Sequence, residues 1–239
     1  MTKTVRKKEV RKFLNEKIAQ LNGIVADIDS LLTKFEDDFF RVSIFGSARI
    51  KAQSEQYKQV YELAFQLSTR GIDIVTGGGP GLMDAANKGA KDGCNQSRSI
   101  GLPIELPFES DANSHLDVKR QHRRFSSRLD EFMRISHAVV VTAGGIGTIL
   151  ELFYTWQLIQ VGHIIPRPII LMGGERMWHE LLDWIKKWPL AMKLMNESDI
   201  DNLIICASPD DVILCLKPDI EKFRRVPSMP SEQEGPAFL

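Results

Sequence analysis

The fold of this chain is constrained most strongly by a set of six short apolar runs rich in β-branched residues. Runs such as AVVVT and PIILM carry consecutive apolar residues instead of alternating ones, a pattern typical of parallel strands covered on both faces. They are separated by roughly 20 to 35 residues, which suits right-handed helical crossovers. The pattern therefore predicts an α/β fold with a doubly wound parallel sheet. The predicted strands are Val42–Phe45, Ile72–Thr76, Ser99–Leu102, Ala138–Thr142, Ile169–Met172 and Leu203–Cys206.

Helices are expected between these strands. Glycine or proline, which commonly end helices, follows several of the helical segments. The predicted helices cover 54–70, 81–92, 119–136, 148–161 and 175–188.

The segment before the first strand has a different periodicity. Its apolar residues recur at alternating steps of four and three, which predicts one long helix with a narrow apolar seam. The seam could pack on its own domain or on another subunit, and its length does not distinguish the two. We therefore predict a helical extension (1–40), a single α/β domain (41–217) and a surface or mobile tail (218–239). The seam consists of Leu14, Ile18, Leu21, Val25, Ile28 and Leu32.

Composition excludes several classes of protein. The 239 residues carry 31 basic and 31 acidic side chains, so there is no net field to attract nucleic acid or an acidic membrane. The three cysteines form no CxxC pair and indicate neither a disulfide framework nor a zinc site. No apolar run approaches the roughly 20 residues of a membrane helix, and the charged start is unlike a signal peptide. We expect a cytoplasmic protein that binds a small anion, without metal or cofactor.

Glycine-bearing turns follow three of the predicted strands. In an open parallel sheet, ligands bind beyond the carboxyl ends of the strands. Glycine lets the backbone approach a ligand closely, and the first N–H groups of the next helix attract phosphate. Neither GxGxxG with its acidic partner nor a P-loop is present, so one phosphate with its ribose is the expected ligand. The candidate binding residues are Gly46, Ser47, Gly77, Gly78, Gly79, Gly81, Met83, Gly144, Gly145, Ile146, Gly147 and Thr148.

Arginines and a carboxylate are close to these turns in the sequence. Arg124 and Arg128 are four residues apart in the predicted helix 119–136 and would share one side of it. Thr148 is expected to cap the next helix, and Glu151 would lie one turn into that helix, near the phosphate. The alternative is that the arginines are solvated charges and the glutamate is a partner for the helix dipole.

Together, GGGPGLMDAANKGA (77–90), Arg128 and AGGIGTILE (143–151) resemble the motifs of the Lonely Guy (LOG) family, once labelled lysine decarboxylase-like. The resemblance covers roughly residues 41–215. It implies a Rossmann-like fold and a homodimer or larger assembly. It also implies hydrolysis of the N-glycosidic bond of nucleoside 5′-monophosphates, either AMP-like or cytokinin riboside monophosphates, to free base and ribose 5-phosphate.

The resemblance also assigns residue roles. Arg128 and Glu151 match the catalytic pair of the family, Gly144–Thr148 match its phosphate cradle, and Glu109 looks like its substrate-binding glutamate. The chain departs from the family pattern at four positions, which bear on base specificity. These are Ala143 for the hallmark proline, Leu129 for a lysine, and Tyr154 and Gln157 for the usual Glu and Thr.

The residues bear on two other functions. A nucleotide-binding sensor with the same fold but no turnover is the alternative, and retention of both Arg128 and Glu151 argues against it. A literal lysine decarboxylase is disfavoured because nothing marks a lysine that would carry pyridoxal phosphate.

Overall fold

The computed structural model describes residues 7, 9–21, 23–25, 39–93, 96–105 and 112–225. The chain divides into two compact units, Met1–Asp38 and Phe39–Leu239. In the first unit every described residue is helical, as the periodicity predicts, and the seam residues Leu14, Ile18, Leu21 and Val25 are exposed. Ile28 and Leu32 lie outside the described residues.

The second unit is built on one seven-stranded sheet. Every neighbouring pair is parallel, which confirms the predicted doubly wound α/β fold. The strands are β1 (Arg41–Phe45), β2 (Asp73–Thr76), β3 (Ser99–Gly101), β4 (Val118–Lys119), β5 (Ala138–Val141), β6 (Ile169–Met172) and β7 (Leu203–Cys206). Their order is β4-β3-β2-β1-β5-β6-β7, so the direction of winding reverses between β1 and β5. This is the switch point at which Rossmann-type folds bind ligands.

Helices cover both faces of the sheet. The α-helices of this unit are α1 (Glu55–Ser68), α2 (Leu82–Asp92), α3 (Phe125–Ile135), α4 (Ile146–Gln160), α5 (Glu175–Ile185) and α6 (Pro209–Arg225). Helices α1, α2 and α6 share one apolar core with the sheet, and α3, α4 and α5 share the other. A π-helical turn (Lys186–Leu190) and a 3-10 helix (Glu197–Asn202) follow α5. Since neither face of the sheet is solvated, its strands carry uninterrupted apolar runs.

The prediction of a helix over 119–136 is wrong at its start. Lys119 belongs to the edge strand β4, and the helix begins only at Phe125. Arg124 is its N-cap residue with extended backbone, so Arg124 and Arg128 do not share a helix face. The physical reason is strand pairing: the N–H of Arg120 donates to the carbonyl of Gly101 at 3.0 Å, which satisfies backbone that a helix would otherwise have paired.

The predicted start of the tail at residue 218 is also wrong. Helix α6 continues through Pro218 to Arg225. A proline inside a helix costs about 3 kcal/mol, but Pro218 is exposed, so water can reach the carbonyl that it leaves unpaired. Burial of Ile220 and the edge-on packing of Phe223 against Phe40, with ring centroids 5.5 Å apart, offset that cost. Residues 226–239 lie outside the described residues.

The backbones of helices α1 and α2 approach each other closely at Gly89. A Cβ at this position would overlap the carbonyl oxygen of Tyr61 and lie 3.1 Å from the backbone nitrogen of Phe65. Alanine would gain up to about 1 kcal/mol in helix propensity, whereas forcing backbones apart costs about 1–3 kcal/mol or more. We therefore expect Gly89→Ala to lower the free energy of unfolding by about 1–2 kcal/mol in urea titrations.

The matched control is the neighbouring exposed residue Lys88. Lys88→Ala should change the free energy of unfolding by less than about 0.5 kcal/mol. Unchanged or increased stability in Gly89→Ala would contradict the close approach of the two helices.

Candidate active site

A cavity of about 500 Å³ opens at the carboxyl ends of the central strands. Three segments form its walls: the loop 46–49 after β1, the loop 77–79 after β2, and residues 145–148 after β5, which are the N-cap and first turn of α4. They meet because the carboxyl ends of parallel strands share one edge of the sheet. Of the candidate residues, the lining includes Gly46, Ser47, Gly77, Gly78, Gly79, Met83, Arg128, Gly145, Ile146, Gly147, Thr148 and Glu151.

Two of the described candidate residues, Gly81 and Gly144, are not part of this lining. Gly81 has a positive φ of 69°, and a Cβ there would overlap the backbone of Ser47 and Ala48. Its role is therefore to let the first two loops touch. Gly144 packs against the side chain of Thr148, which leaves no space for a Cβ. Glu109 lies outside the described residues.

The expectation that Thr148 caps the helix is wrong. Helix α4 begins two residues earlier, its N-cap is Gly145, and no side chain of the described residues caps it. Thr148 lies inside the first turn with its side chain buried at the cavity. The first-turn N–H groups of a helix have no intrahelical acceptor, so this uncapped end suits an anion.

Arg128 and Glu151 form a buried ion pair at the cavity. The Nη1 atom of Arg128 is 3.4 Å from Oε1 of Glu151, and the two side chains are only 12% and 11% exposed. The Nε–H of Arg128 donates to the carbonyl of Leu102 at 2.7 Å. The guanidinium also lies 5.3 Å from the ring centroid of Phe132. These contacts fix the arginine between α4 and the end of β3.

The Glu151 carboxyl titrates close to neutral pH. Its burial disfavours the charged form and raises the pKa, and this outweighs the opposite effect of the Arg128 charge, so the pKa is about 7. A carboxyl with such a pKa can hold or release a proton under physiological conditions.

This pKa makes stability depend on pH. The folded protein retains a proton on Glu151 at pH values where the unfolded chain has lost it, so Glu151 lowers stability as pH rises from about 4.5 to about 7. Glutamine resembles the protonated form. Glu151→Gln should match the wild-type free energy of unfolding near pH 4.5 and exceed it by about 3 kcal/mol at pH 8, measured by urea unfolding.

The control for this prediction is Glu180→Gln. Glu180 is an exposed acid on α5 whose partner is the exposed Arg176. Its replacement should give the same small difference at both pH values. Equal free energies of unfolding for wild type and Glu151→Gln at pH 8 would show that ionisation of the Glu151 carboxyl does not destabilise the folded protein.

A polar network holds the second glycine loop. The Thr76 hydroxyl donates to Oδ1 of Asn87 at 2.6 Å and accepts from the N–H of Gly78 at 2.9 Å. The Asn113 amide donates to the carbonyl of Gly79 at 3.0 Å and to Oδ1 of Asn87 at 2.9 Å. Since Asn87 is fully buried, these bonds fix the loop rigidly. Sequence reasoning missed Asn87 and Asn113, because neither belongs to a strand-end turn.

Other lining residues were also missed by sequence reasoning. They are Ala48, Arg49, Pro103, Ile104, Ala112 and Phe125. Two of them had a usable sequence signal, since Ala48 belongs to the first glycine turn and Arg49 directly follows it.

Side chains that bind metals are dispersed in the described part of the chain. Within the residues described above, no three His, Cys, Asp or Glu side chains come together as a metal site. The free thiols Cys206 and Cys215 have their Sγ atoms 3.6 Å apart, and Cys94 lies outside the described residues.

None of the helices in the described ranges has the length and apolar character needed to cross a membrane.

The chain is similar to several known proteins. The sequence model of a family described as "possible lysine decarboxylase" matches residues 83–216. A pyrimidine/purine nucleotide 5′-monophosphate nucleosidase of Escherichia coli (strain K12) is 32% identical over 129 residues, which span 50% of this chain but only 28% of that protein. A cytokinin riboside 5′-monophosphate phosphoribohydrolase of Arabidopsis thaliana is 31% identical over 157 residues, 65% of this chain and 72% of that protein.

Solved structures share the fold. The molybdenum cofactor binding protein from Rippkaea orientalis superposes with a TM-score of 0.58 at 20% sequence identity, covering 76% of this chain and 98% of that one. At this identity the likeness concerns architecture alone.

Proposed function

The chain belongs to the LOG family, the one described as possible lysine decarboxylase, and from this premise we propose that it hydrolyses the N-glycosidic bond of nucleoside 5′-monophosphates. The products are a free base and ribose 5-phosphate. The observation that carries the proposal is the buried Arg128–Glu151 pair beside glycine loops and an uncapped helix N-terminus. The names of the Escherichia coli and Arabidopsis thaliana relatives support the same reaction.

In this mechanism Glu151 acts on the sugar and on water. Cleavage of the bond between C1′ and the base passes through an oxocarbenium-like sugar, which the Glu151 carboxylate stabilises. Water attacks C1′ and gives its proton to Glu151, while the base leaves with the bonding electrons and is protonated from solvent. A carboxyl with a pKa of about 7 can accept that proton near neutral pH.

Arg128 and helix α4 position the substrate. Arg128 is fixed by the Leu102 carbonyl, so it holds the Glu151 carboxylate in place and can also contact substrate oxygens. The first-turn N–H groups of Ile146, Gly147 and Thr148 bind the 5′-phosphate. Phosphate binding fixes the ribose relative to Glu151 and lowers the barrier through positioning. A nucleoside that lacks the phosphate should therefore react poorly.

The family description also names decarboxylation, which the cavity does not favour. Pyridoxal-dependent decarboxylation requires a lysine that forms a Schiff base with the cofactor. None of the described residues lining the cavity is a lysine. We propose hydrolysis that needs neither a cofactor nor a metal ion.

The deciding experiment is incubation with a panel of nucleoside 5′-monophosphates, followed by chromatography of the free base. AMP, GMP, IMP, CMP, UMP and a cytokinin riboside monophosphate cover the substrates that the relatives' names suggest. Release of any base in proportion to protein supports the enzyme. Tight binding without release would support a nucleotide sensor instead. Loss of activity in a chelator, restored by a divalent ion, would overturn the metal-free mechanism.

We further propose a homodimer or a larger homo-oligomer. Ile146, Leu150 and Phe153 follow one another along one side of α4 and are exposed, Ile146 at 91%. A second subunit covering this stripe would shield apolar surface beside the cavity. Multi-angle light scattering at micromolar concentration should give at least twice the 27.0 kDa chain mass. A monomer would contradict the assembly.

Nucleic acid and membrane are not expected partners, and the cytoplasm is the proposed compartment.

A further inference from the structure

Arg49 lines the cavity but has no role in the mechanism above. Its backbone N–H donates to the hydroxyl of Ser47 at 3.1 Å, which shapes the turn after β1. Its side chain is exposed, and among the described residues the guanidinium has no hydrogen-bonding or ion-pair partner. A guanidinium carries five donors in a planar fork that matches phosphate oxygens. The turn therefore presents a charged group that no described residue pairs with.

The other charges in the cavity wall cancel. Arg128 and Glu151 are paired at 3.4 Å, so together they contribute no net charge when the carboxyl is ionised. No further acidic or basic residue is found among the described lining residues. A phosphate monoester carries nearly two negative charges at neutral pH. Among the described lining residues, Arg49 is the cation that no carboxylate offsets, so it can balance the phosphate charge together with the partial charge at the N-terminus of α4.

The turn that carries Arg49 is hydrogen-bonded to the loop that leads into α4. The N–H of Ser47 donates to the carbonyl of Ala143 at 3.1 Å, and β1 and β5 are neighbours in the sheet. Arg49 is therefore held on the same side of the cavity opening as the uncapped helix end. We propose that Arg49 binds the 5′-phosphate of the substrate together with the first turn of α4. This inference rests on the proposed function, because that function supplies the monophosphate.

The test is calorimetric binding of ribose 5-phosphate and of adenosine. Ribose 5-phosphate carries the phosphate without a base, and adenosine carries the base and ribose without a phosphate. We expect Arg49→Ala to weaken ribose 5-phosphate binding tenfold or more and to leave adenosine binding within about twofold. Arg49→Lys should restore part of the affinity, since it keeps the charge but loses the fork. The matched control is Lys51→Ala, an exposed cation two residues further on that does not line the cavity, and it should change neither affinity.

Several outcomes would overturn the inference. Equal loss for both ligands would indicate that Arg49 contacts the ribose or base, and no loss for either would indicate no contact. Failure of the wild-type protein to bind ribose 5-phosphate would also overturn it. Because ribose 5-phosphate has no bond to a base, this readout is independent of turnover. Arg49-dependent binding without base release from the monophosphate panel would refute the proposed function and leave the role of Arg49 intact.

Discussion

Replacing Glu151 by glutamine should lower turnover of a nucleoside 5′-monophosphate a hundredfold or more, on the order of 3 kcal/mol of transition-state stabilisation. Ligand affinity should stay within a few-fold of wild type. Glutamine keeps the size of the side chain and its contact with Arg128, but it can neither stabilise the oxocarbenium-like sugar by charge nor accept a proton from water. Turnover at saturating substrate and equilibrium binding of ribose 5-phosphate measure the two quantities separately.

The exposed Glu180 again supplies the matched control. Glu180→Gln removes an exposed acid of the same type that does not line the cavity, and turnover should remain at the wild-type level. Wild-type turnover in Glu151→Gln would eliminate the proposed mechanism, even if base release by the protein itself were established. A large loss of affinity without a loss of turnover would instead assign Glu151 to substrate binding.

The second large effect is expected at Arg128. Arg128→Ala should reduce kcat/KM by roughly a hundredfold or more and should weaken ribose 5-phosphate binding as well. The guanidinium restrains Glu151 and is assigned a substrate contact, so both quantities depend on it. The control is Arg123→Ala, because Arg123 is 86% exposed and pairs only loosely with Glu105 at 3.5 Å. Steady-state kinetics and calorimetry of the two variants provide the comparison.

The double variant tests whether the two residues act as a unit. Since Arg128 positions Glu151, the loss in Glu151→Gln/Arg128→Ala should be clearly smaller than the summed losses of the single variants, expressed as free energies. Strict additivity would mean that the two side chains contribute independently. A decrease confined to KM in Arg128→Ala would remove its role in orienting the carboxylate.

The parallel sheet could be predicted from the sequence, because runs of consecutive apolar residues indicate strands that are buried on both faces. Strand β4 could not be predicted from the sequence, since a strand of two residues, Val118–Lys119, is too short to display any periodicity. For the same reason the basic run before Phe125 resembles part of the following helix in sequence. The continuation of α6 past Pro218 depends on packing by Phe223, a tertiary contact that overrides local propensity.

The cavity was predictable in part for a simple geometric reason. Glycine turns at the ends of parallel strands must meet at one edge, so Gly46, Gly77 and Gly145 could be grouped from the sequence. The pairing of Arg128 with Glu151 was expected only from the family resemblance. Asn113 could not be predicted in this way, because it is 34 residues from Gly79, to whose carbonyl its side chain donates, and it belongs to no repeating pattern.

The shortness of β4 has a consequence for the colloidal behaviour of the protein. An edge strand presents unpaired N–H and C=O groups that can template the addition of a strand from another molecule. Here the edge strand β4 consists of two residues, Val118 and Lys119, and the second of these is an exposed lysine. An added strand could form few ladder bonds with β4 itself and would have to accommodate a positive charge. This short, charged strand thus opposes fibre-like growth of the sheet at this border.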